Sequence, residues 1–428
     1  MKVLLIATNR HGRYMNKIEA RPLPIGLAYV AAYLEPDQHT TKVLDLMFSD
    51  DYLADVETVV KDFQPDIVGL SIRNLDNGSY LDPQWVLPIT KEVTGLVRSI
   101  SQATIVCGGP AFNILPRECF DYVEPDLGIV GAGGETFADL AGRLAASEPY
   151  TDLPGLVYRK DGEITFTEDP SPPTVMKPPR LENLDMTQYA DAGFGVGIVT
   201  KLSMLGTPPA NANRDDEDWR LVRPIQEVVD EVKDLVRRLG SPNVFFVSNG
   251  FNVPLEHAKT FCRALIDAGM ELNWNTVLVP RSCDPELIGL MKQSGCTMVI
   301  VGDLVVDAQD PDVLRDCLDQ MRQACRMCEE ADLQYTVGQT FGAPGETLET
   351  VEQKLAFLGG INPALANLRV GIRMLPGSRV ARRAREEGRV FEDKDLIQPT
   401  FYIAEPVKDW IINHLQTEAS RHPTWSVD

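Results

Sequence analysis

Residues 195–224 read GVGIVTKLSMLGTPPANANRDDEDWRLVRP, and this stretch decides the fold of the second half of the chain. Its first residues are apolar and predict a buried strand. Pro224 then stands at the first position of a predicted helix, where its missing N–H costs nothing. From here strands and helices alternate about six times, with strands predicted at residues 197–201, 243–248, 273–278, 297–301, 333–340 and 367–373. Parallel strands joined by helices in this way predict a partial (β/α)6 barrel of the TIM type, with its site at the carboxyl ends of the strands.

The first 148 residues alternate in the same manner. Strands are predicted at residues 2–8, 41–46, 66–72, 104–107 and 127–130, and helices at residues 26–34, 52–63, 88–100 and 136–144. The predicted strands are continuously apolar, which indicates a parallel sheet that is buried on both faces. The predicted fold class is therefore α/β, with a doubly wound, Rossmann-like sheet first and the partial barrel second.

A connector is predicted between the two α/β units. Residues 156–159 and 164–167 flank Lys160-Asp161-Gly162-Glu163, which is typical of a β-hairpin turn. Five prolines between residues 170 and 179 then indicate a stiff, extended linker. The sequence thus divides into a first domain at 1–148, a connector at 149–194, a barrel at 195–379, and a segment at 380–428 that we expect to close the barrel.

Composition excludes several classes of partner. The 428 residues carry 41 Lys and Arg against 62 Asp and Glu, a formal net charge of −21. Such a field repels phosphate backbones and anionic lipids, so neither nucleic acid nor a membrane is an expected partner. No apolar run reaches the ~18 residues of a membrane span. Eight cysteines without a secretion signal indicate reduced thiols and a cytoplasmic location. A small-molecule substrate is expected, and the sequence leaves the oligomeric state open.

Four motifs of the first domain resemble the cobalamin-binding (vitamin B12) domain that precedes many radical S-adenosylmethionine (SAM) enzymes. They are PIGLAYVAAYL from Pro24 to Leu34, PDIVGLS from Pro65 to Ser71, Gly108-Gly109-Pro110, and Gly-x-Gly-Gly-Glu-Thr ending at Thr136. The resemblance implies that cobalamin binds at the carboxyl ends of the strands. The implied contacts are Pro24, Gly26, Arg73, Asn74, Gly108, Gly109, Pro110, Gly131, Gly133 and Glu135.

Two departures from that family concern the cobalt ligand and the last turn. Family members often carry an acidic residue where this chain has Ala132. The Asp-x-His-x-x-Gly signature is only partly matched, by Asn9 and His11, with Tyr14 in place of the glycine. His11 is a candidate axial ligand of cobalt, and the alternative interpretation is a polar loop histidine.

The second unit resembles the barrel of radical SAM enzymes. The matching segments are FGAPGET (341–347), FVSNGFN (246–252), LIGLMKQSGC (287–296) and RMLPGS (373–378). The resemblance implies that Asn249, Gly302 and Gly338 lie beside SAM where SAM is bound. No general base stands out: Tyr402, Arg281 and Asp303 merely lie near predicted strand ends or the closing segment.

The expected iron–sulfur ligands are missing from the loop after the first barrel strand. The family's thiolates follow a C-x-x-x-C-x-x-C pattern, and their positions fall near Met204, Pro208 and Asn211. No cysteine occurs between Cys119 and Cys262, so a 4Fe–4S cluster is not expected.

Other side chains offer only weak substitutes for those ligands. Cys325 and Cys328 have a metal-like spacing, but they lie on a predicted helix and would need further ligands such as Cys283 and Cys296. The acidic residues 215–218 read as a solvated loop face.

Three functional hypotheses follow. The first is a cobalamin-dependent enzyme that transfers the methyl group of SAM to a small biosynthetic substrate by polar displacement, which needs no electron and hence no cluster. The second is a non-catalytic cobalamin-binding protein, or a partner of an active homologue. The third is a radical SAM enzyme with unconventional cluster ligands.

Overall fold

The computed structural model describes residues 1–10, 13–15, 18–19, 21–170, 176–190, 195–202, 221–240, 242–248, 250–302 and 310–428. Several predicted site residues lie outside these ranges, namely His11, Met204, Pro208, Asn211, Asn249, Asp303 and the acidic run 215–218.

The first sheet combines five parallel strands with an antiparallel hairpin. Its strand order is β4-β1-β5-β6-β7-β8-β9. Both neighbours of β1 run parallel to it, with Val3 opposite Thr41 on one side and Ile67 on the other. The bounds are β1 Lys2–Ala7, β2 Arg13–Met15, β3 Ile18–Glu19, β4 Thr40–Asp45, β5 Ile67–Ser71, β6 Thr104–Gly108, β7 Leu127–Ile129, β8 Leu156–Lys160 and β9 Glu163–Phe166; β2 and β3 form a separate short ribbon.

Helices cover both faces of this sheet, which confirms the predicted doubly wound architecture. Leu4 and Ile6 of β1 join a core with the helices α2, α3 and α5, whereas Val3 and Leu5 pack with α1 and α6. Continuous apolar strands are required because helices cover both faces of the central strands of the sheet. The bounds are α1 Ile25–Tyr33, α2 Tyr52–Phe63, α3 Leu87–Ile100, α4 Pro110–Ile114, α5 Pro116–Val123 and α6 Gly134–Ala146.

The hairpin predicted within the connector is present, and it belongs to the first sheet. Leu127 of β7 pairs antiparallel with Tyr158, so β8 occupies the edge that β7 would otherwise expose. Leu156 and Val157 are buried there. Beyond the hairpin the connector holds a 3₁₀ turn at Leu181–Asn183 and the short helix α7, Thr187–Ala190.

The second sheet is parallel, and its first six strands follow one another in chain order, as the partial barrel predicts. The order is β10-β13-β14-β15-β16-β17-β20. The bounds are β10 Val196–Val199, β11 Lys201–Leu202, β12 Leu221–Val222, β13 Asn243–Val247, β14 Asn273–Leu278, β15 Cys296–Val301, β16 Gln334–Phe341, β17 Leu365–Val370, β18 Ile372–Arg373, β19 Phe401–Tyr402 and β20 Trp425–Val427; β11 pairs with β12 and β18 with β19.

Helices of the second unit cover one face of this sheet. Their bounds are α8 Ile225–Leu239, α9 Leu255–Asp267, α10 Pro285–Gln293, α11 Pro311–Glu330, α12 Leu348–Gly359, α13 Arg379–Glu386 and α14 Ile411–Ala419. The segment after residue 380 contributes more than the predicted helix, because β20 adds a further parallel strand beside β17. In the described part of the chain, none of the helices combines the length and apolar character that crossing a membrane requires.

Candidate cofactor site between two sheet edges

The carboxyl edges of the two sheets face each other. Tyr29 lies in α1, which follows the carboxyl end of β1; its hydroxyl accepts a hydrogen bond of 3.0 Å from Arg223. The same Arg223 nitrogen donates to the carbonyl of Val199, the last residue of β10, at 2.8 Å. On the other side Asp76, beyond β5, forms a buried ion pair of 2.6 Å with Arg373, beyond β17. A ligand at either edge therefore faces the other sheet.

Asn9 marks the first edge. It follows β1, the strand between β4 and β5, and only 4% of its surface is exposed. Within the described residues, neither atom of its side-chain amide has a hydrogen-bond partner. Thr8 beside it is satisfied, since its hydroxyl contacts the Thr90 hydroxyl at 2.8 Å and donates to the Ser71 carbonyl at 3.2 Å. An unpaired buried amide is costly, so Asn9 indicates that a polar ligand binds at this edge.

The turn Gly108-Gly109-Pro110 brings two strand ends into close contact. Gly109 has a φ of +106°, and a Cβ atom there would lie 2.7 Å from the carbonyl oxygen of Ile72. Only glycine fits such an approach. Ile72 donates its own N–H to the Gly108 carbonyl at 2.8 Å, and Pro110 begins α4 with its ring exposed. This turn therefore lies at the edge of the sheet, and its glycines allow the ends of β5 and β6 to approach each other.

The backbone groups of the glycine turn after β7 already have partners within the chain, and the space beside the turn is occupied. The Asn113 amide accepts from the Gly131 N–H at 2.9 Å and donates to the Gly131 carbonyl at 3.2 Å. A Cβ on Gly131 would lie 2.5 Å from the ring of Pro170. Gly133, with a φ of +68°, precedes α6, and Glu135 in the first turn of that helix is exposed.

The remaining sequence-predicted cobalamin contacts lie at more open positions. Pro24 precedes α1, and Gly26 is exposed, with no heavy atom within 4 Å of a Cβ built on it. Arg73 and Asn74 follow β5 and are half-buried; the guanidinium donates to the Asn74 side-chain oxygen at 3.4 Å. These residues surround the strand ends on either side of Asn9.

A polar notch lies on the second sheet, on the face opposite its helices. Gly338 of β16 pairs with Asn367 of β17, and Asn367 is 1% exposed. Its side-chain oxygen accepts from Ser426 of β20 at 3.3 Å. The Asn367 nitrogen and the Thr336 hydroxyl are buried and have no partner among the residues that the structure describes.

Two glycines adjoin this notch. Val301 pairs with Val337, so Gly302, the next residue, lies beside Gly338. These two neighbouring glycines place no side chain beside the unsatisfied polar atoms of Asn367 and Thr336, and a Cβ on Gly302 would lie 3.2 Å from the Leu278 carbonyl oxygen. Sequence reasoning found both glycines but missed the two polar side chains; the signal was a polar residue inside each apolar strand.

A buried ion pair holds the turn after β16. The Glu346 carboxylate accepts from the N–H groups of Gly342 (2.7 Å) and Ala343 (3.2 Å), and from the Thr350 hydroxyl at 3.0 Å. Lys354 of α12 donates to the same carboxylate at 2.8 Å and to the Thr340 carbonyl at 3.0 Å. The glutamate of the Gly-x-Pro-Gly-Glu-Thr motif is therefore a structural anchor.

The candidate acids, bases and metal ligands have structural surroundings. The Tyr402 hydroxyl donates to Glu387 at 3.1 Å, and burial raises its pKa. Arg281 lies in the short turn Pro280–Ser282. Cys325 and Cys328 lie on α11, as predicted, and burial raises the pKa of Cys328 to about 12, so the thiolate needed for a metal is disfavoured. Across the described ranges, no three His, Cys, Asp or Glu side chains form a group that could hold a metal ion.

Comparison with known proteins identifies the first domain. Residues 14–141 match the B12 binding domain family. Among curated proteins, an uncharacterised methyltransferase of Pyrococcus horikoshii is 23% identical over 83% of this chain and 77% of its own length. The tryptophan 2-C-methyltransferase of Streptomyces laurentii is 25% identical over 87% of this chain and 74% of its own.

Solved structures match over both domains. The radical SAM methyltransferase TsrM of Kitasatospora setae, with cobalamin and a 4Fe–4S cluster bound, has a TM-score of 0.81 at 20% identity and covers 100% of this chain and 93% of its own. The cobalamin-dependent SAM radical enzyme OxsB has a TM-score of 0.72 at 15% identity, over 94% of this chain and 64% of its own. The resemblance predicted from the sequence is thus confirmed: the chain carries a B12-binding domain and has the fold of the cobalamin-dependent radical SAM enzymes.

Proposed function

We propose that this protein is a cobalamin-dependent enzyme that moves the methyl group of SAM to a small molecule. The observation that carries the proposal is the pair of facing sheet edges. Among the residues that the structure describes, the first edge presents both unsatisfied atoms of the buried Asn9 amide. The second sheet presents the unsatisfied nitrogen of the buried Asn367 amide, on the face opposite its helices. Relatives named as methyltransferases support the reaction class.

The first edge fits cobalamin in its chemistry. The corrin rim carries amide side chains, and the unpaired amide of Asn9 offers both a donor and an acceptor to such groups. Gly26 leaves room for a large ring, and Pro24, Arg73, Asn74, Gly108, Gly109 and Pro110 line the neighbouring strand ends. When bound there, cobalamin would supply a cobalt centre able to accept and donate a methyl group. We assign Asn9 the role of orienting the corrin. Gly131 and Gly133 hold the turn beside it, and Glu135 faces solvent.

The polar notch on the second sheet is our proposed site for SAM. Gly302 and Gly338 place no side chain beside the notch, and Thr336 and Asn367 supply a hydroxyl and an amide nitrogen for ribose or adenine. The substrate then lies between the two edges, where orientation rather than acid–base chemistry accelerates the transfer.

We further propose that the transfer does not use an iron–sulfur cluster. The absence of cysteine between Cys119 and Cys262 supports this, because the loop between β11 and β12 then offers no thiolate. Displacement of a methyl group by a reduced metal centre requires no electron delivered to the sulfonium. The 4Fe–4S cluster is bound in TsrM, and we do not extend it to this chain.

The test begins with protein produced with cobalamin supplied, whose absorption spectrum reports corrin and iron–sulfur bands separately. Reduced cobalamin and methyl-labelled SAM are then added, and S-adenosylhomocysteine is measured. We expect corrin bands, sulfide below stoichiometry and S-adenosylhomocysteine formation that requires cobalamin. Corrin binding without any heat of SAM binding in calorimetry would favour the cobalamin carrier. Stoichiometric iron and sulfide after anaerobic reconstitution would favour the unconventional radical enzyme, and a colourless protein would overturn all three.

A further inference from the structure

Lys201 is a buried lysine whose ammonium donates to three main-chain carbonyls of the described residues. It lies in β11, just past the carboxyl end of β10, and is 4% exposed. Its Nζ donates to the carbonyl oxygens of Gly250 and Val253, and to that of Phe251 at 3.3 Å. All three acceptors belong to the loop that follows β13. We call these three carbonyls the carbonyl cradle.

The number of acceptors in the carbonyl cradle matches an ammonium ion. An ammonium group has three N–H donors and can donate to all three carbonyls at once, whereas a neutral amine has only two. Burial lowers the pKa of Lys201 to about 7. The three acceptors act in the opposite direction, because they stabilise only the charged form fully.

The carbonyl cradle is held in place by contacts that do not involve Lys201. Asn252 is fully buried; its amide donates to the Val279 and Ser282 carbonyls at 2.8 and 2.7 Å and accepts from the Val279 N–H at 2.8 Å. The Phe251 N–H donates to the Val277 carbonyl at 2.9 Å. The loop should therefore keep its shape when the lysine is shortened.

The Phe251 ring adds an apolar support beneath the loop. It packs against Phe246 and Trp274, with ring centroids 6.1 and 5.2 Å apart. These rings belong to the buried face of the second sheet, so the carbonyls of the loop are presented from a rigid base.

We propose that the carbonyls of Gly250, Phe251 and Val253 form a binding site for a primary ammonium group, which this chain fills with its own Lys201. The site lies at the carboxyl edge of the second sheet, where it ties the end of β10 to the loop after β13. A ligand amine enters it only when Lys201 withdraws. This inference does not depend on methyl transfer.

Chemical rescue tests the site with cations that replace what a substitution removes. Lys201→Met keeps the stem and leaves a space for one –NH3⁺, which matches the ammonium ion. Lys201→Ala removes three further carbons and matches n-propylammonium. Each apoprotein is melted at pH 6.5, where all these amines are charged, in chloride salts of equal ionic strength. Tetramethylammonium, which has no N–H donor, and K⁺ are the ionic controls.

We expect the matched cation to raise the melting temperature of its variant by about 1–3 °C at concentrations near 100 mM, with saturation. Wild-type protein should not respond. Lys259→Met is the matched control, because Lys259 is equally buried but pairs with the carboxylates of Asp284 (2.6 Å) and Glu286 (2.8 Å).

An absent response in both variants overturns the proposal, and so does an equal response to K⁺ or tetramethylammonium. If a variant does not accumulate in folded form, it is refolded with and without its matched cation. A refolding yield that does not change when the matched cation is present also overturns the proposal. Cobalamin and SAM are absent throughout, so failure here is distinct from failure of the methyl-transfer proposal.

Discussion

The buried pair of Glu346 and Lys354 allows a quantitative test of how the turn after β16 is held. Both side chains are almost completely inaccessible, at 0% and 2% exposure. Lys354→Met removes the charge and its two hydrogen bonds but keeps most of the apolar stem. Glu346→Gln removes the partner charge while keeping an oxygen for the N–H groups of Gly342 and Ala343.

The hydrogen bonds that remain in each variant determine how much unfolding free energy it loses. Removing one partner of a buried pair costs about 3–5 kcal/mol, because the other charge stays buried without compensation. Lys354→Met falls near the lower end, at about 3 kcal/mol, since three donors still reach the carboxylate. Glu346→Gln falls near 4 kcal/mol, because the ammonium then stays buried with neutral acceptors alone, the amide oxygen and the Thr340 carbonyl. In the double variant neither charge remains, so we expect a loss of about 4 rather than about 7 kcal/mol.

Equilibrium urea unfolding, followed by far-ultraviolet circular dichroism, measures the four proteins of this cycle. The exposed pair of Lys292 and Asp332, 3.3 Å apart, supplies the control: Lys292→Met should cost at most about 0.5 kcal/mol. Losses that add within about 0.5 kcal/mol would refute the reasoning, because independent sites behave in that way. The carboxylate and the ammonium would then be satisfied separately.

Three further predictions concern the first sheet edge. Asn9→Leu should stabilise the apoprotein against urea by about 1 kcal/mol, since it removes a buried unpaired amide, and should weaken cobalamin binding about tenfold in calorimetry. Gly131→Ala should destabilise the protein by about 1–3 kcal/mol, because its Cβ would meet Pro170. Gly26→Ala, in the first turn of α1, should instead stabilise the apoprotein by up to about 1 kcal/mol and lower only cobalamin affinity. Burial raises the pKa of Asp45 in the folded state, so its ionisation costs stability as the pH rises through that value. Asp45→Asn should therefore raise the urea midpoint at pH 7, and the gain should vanish below pH 4.

The architecture could be predicted because its signals are local. Apolar runs bounded by glycine and proline predicted eleven parallel strands to within a few residues, and α2 begins and ends where its pattern predicts. The strand β20 could not be found in this way. It is three residues long, and it exists because β17 offers a row of unpaired backbone groups at the edge of the sheet. The pairing of β8 with β7 could not be predicted either, because it also depends on which strand edge is left unpaired in the folded sheet.

The candidate site was predictable as a region but not residue by residue. Glycine-rich strand ends pointed to the correct edges, yet the sequence does not reveal which glycines are already occupied. Asn113 satisfies Gly131 from 18 positions away, and Pro170 covers it from 39 positions away. Conversely, Asn9 is distinguished only by the lack of a partner within the described residues, a property that depends on three neighbouring strands. The tertiary arrangement of the chain therefore decides both whether Gly131 is covered and whether Asn9 has a partner.

The contacts between the domains hold the two proposed ligand sites in one arrangement. Arg223 joins α1 of the first domain to β10 of the second and forms a buried ion pair of 2.7 Å with Glu231 of α8. At the opposite side of the interface, Arg373 binds Asp76, and Ser79 donates to Asp428 at 2.7 Å. Buried charges lose several kcal/mol when a partner moves away, so the two edges are held at a fixed separation. In the proposed reaction, the methyl group of SAM would then reach the cobalt at the first edge without a large domain motion, and orientation of the substrate would be the main task left to the protein.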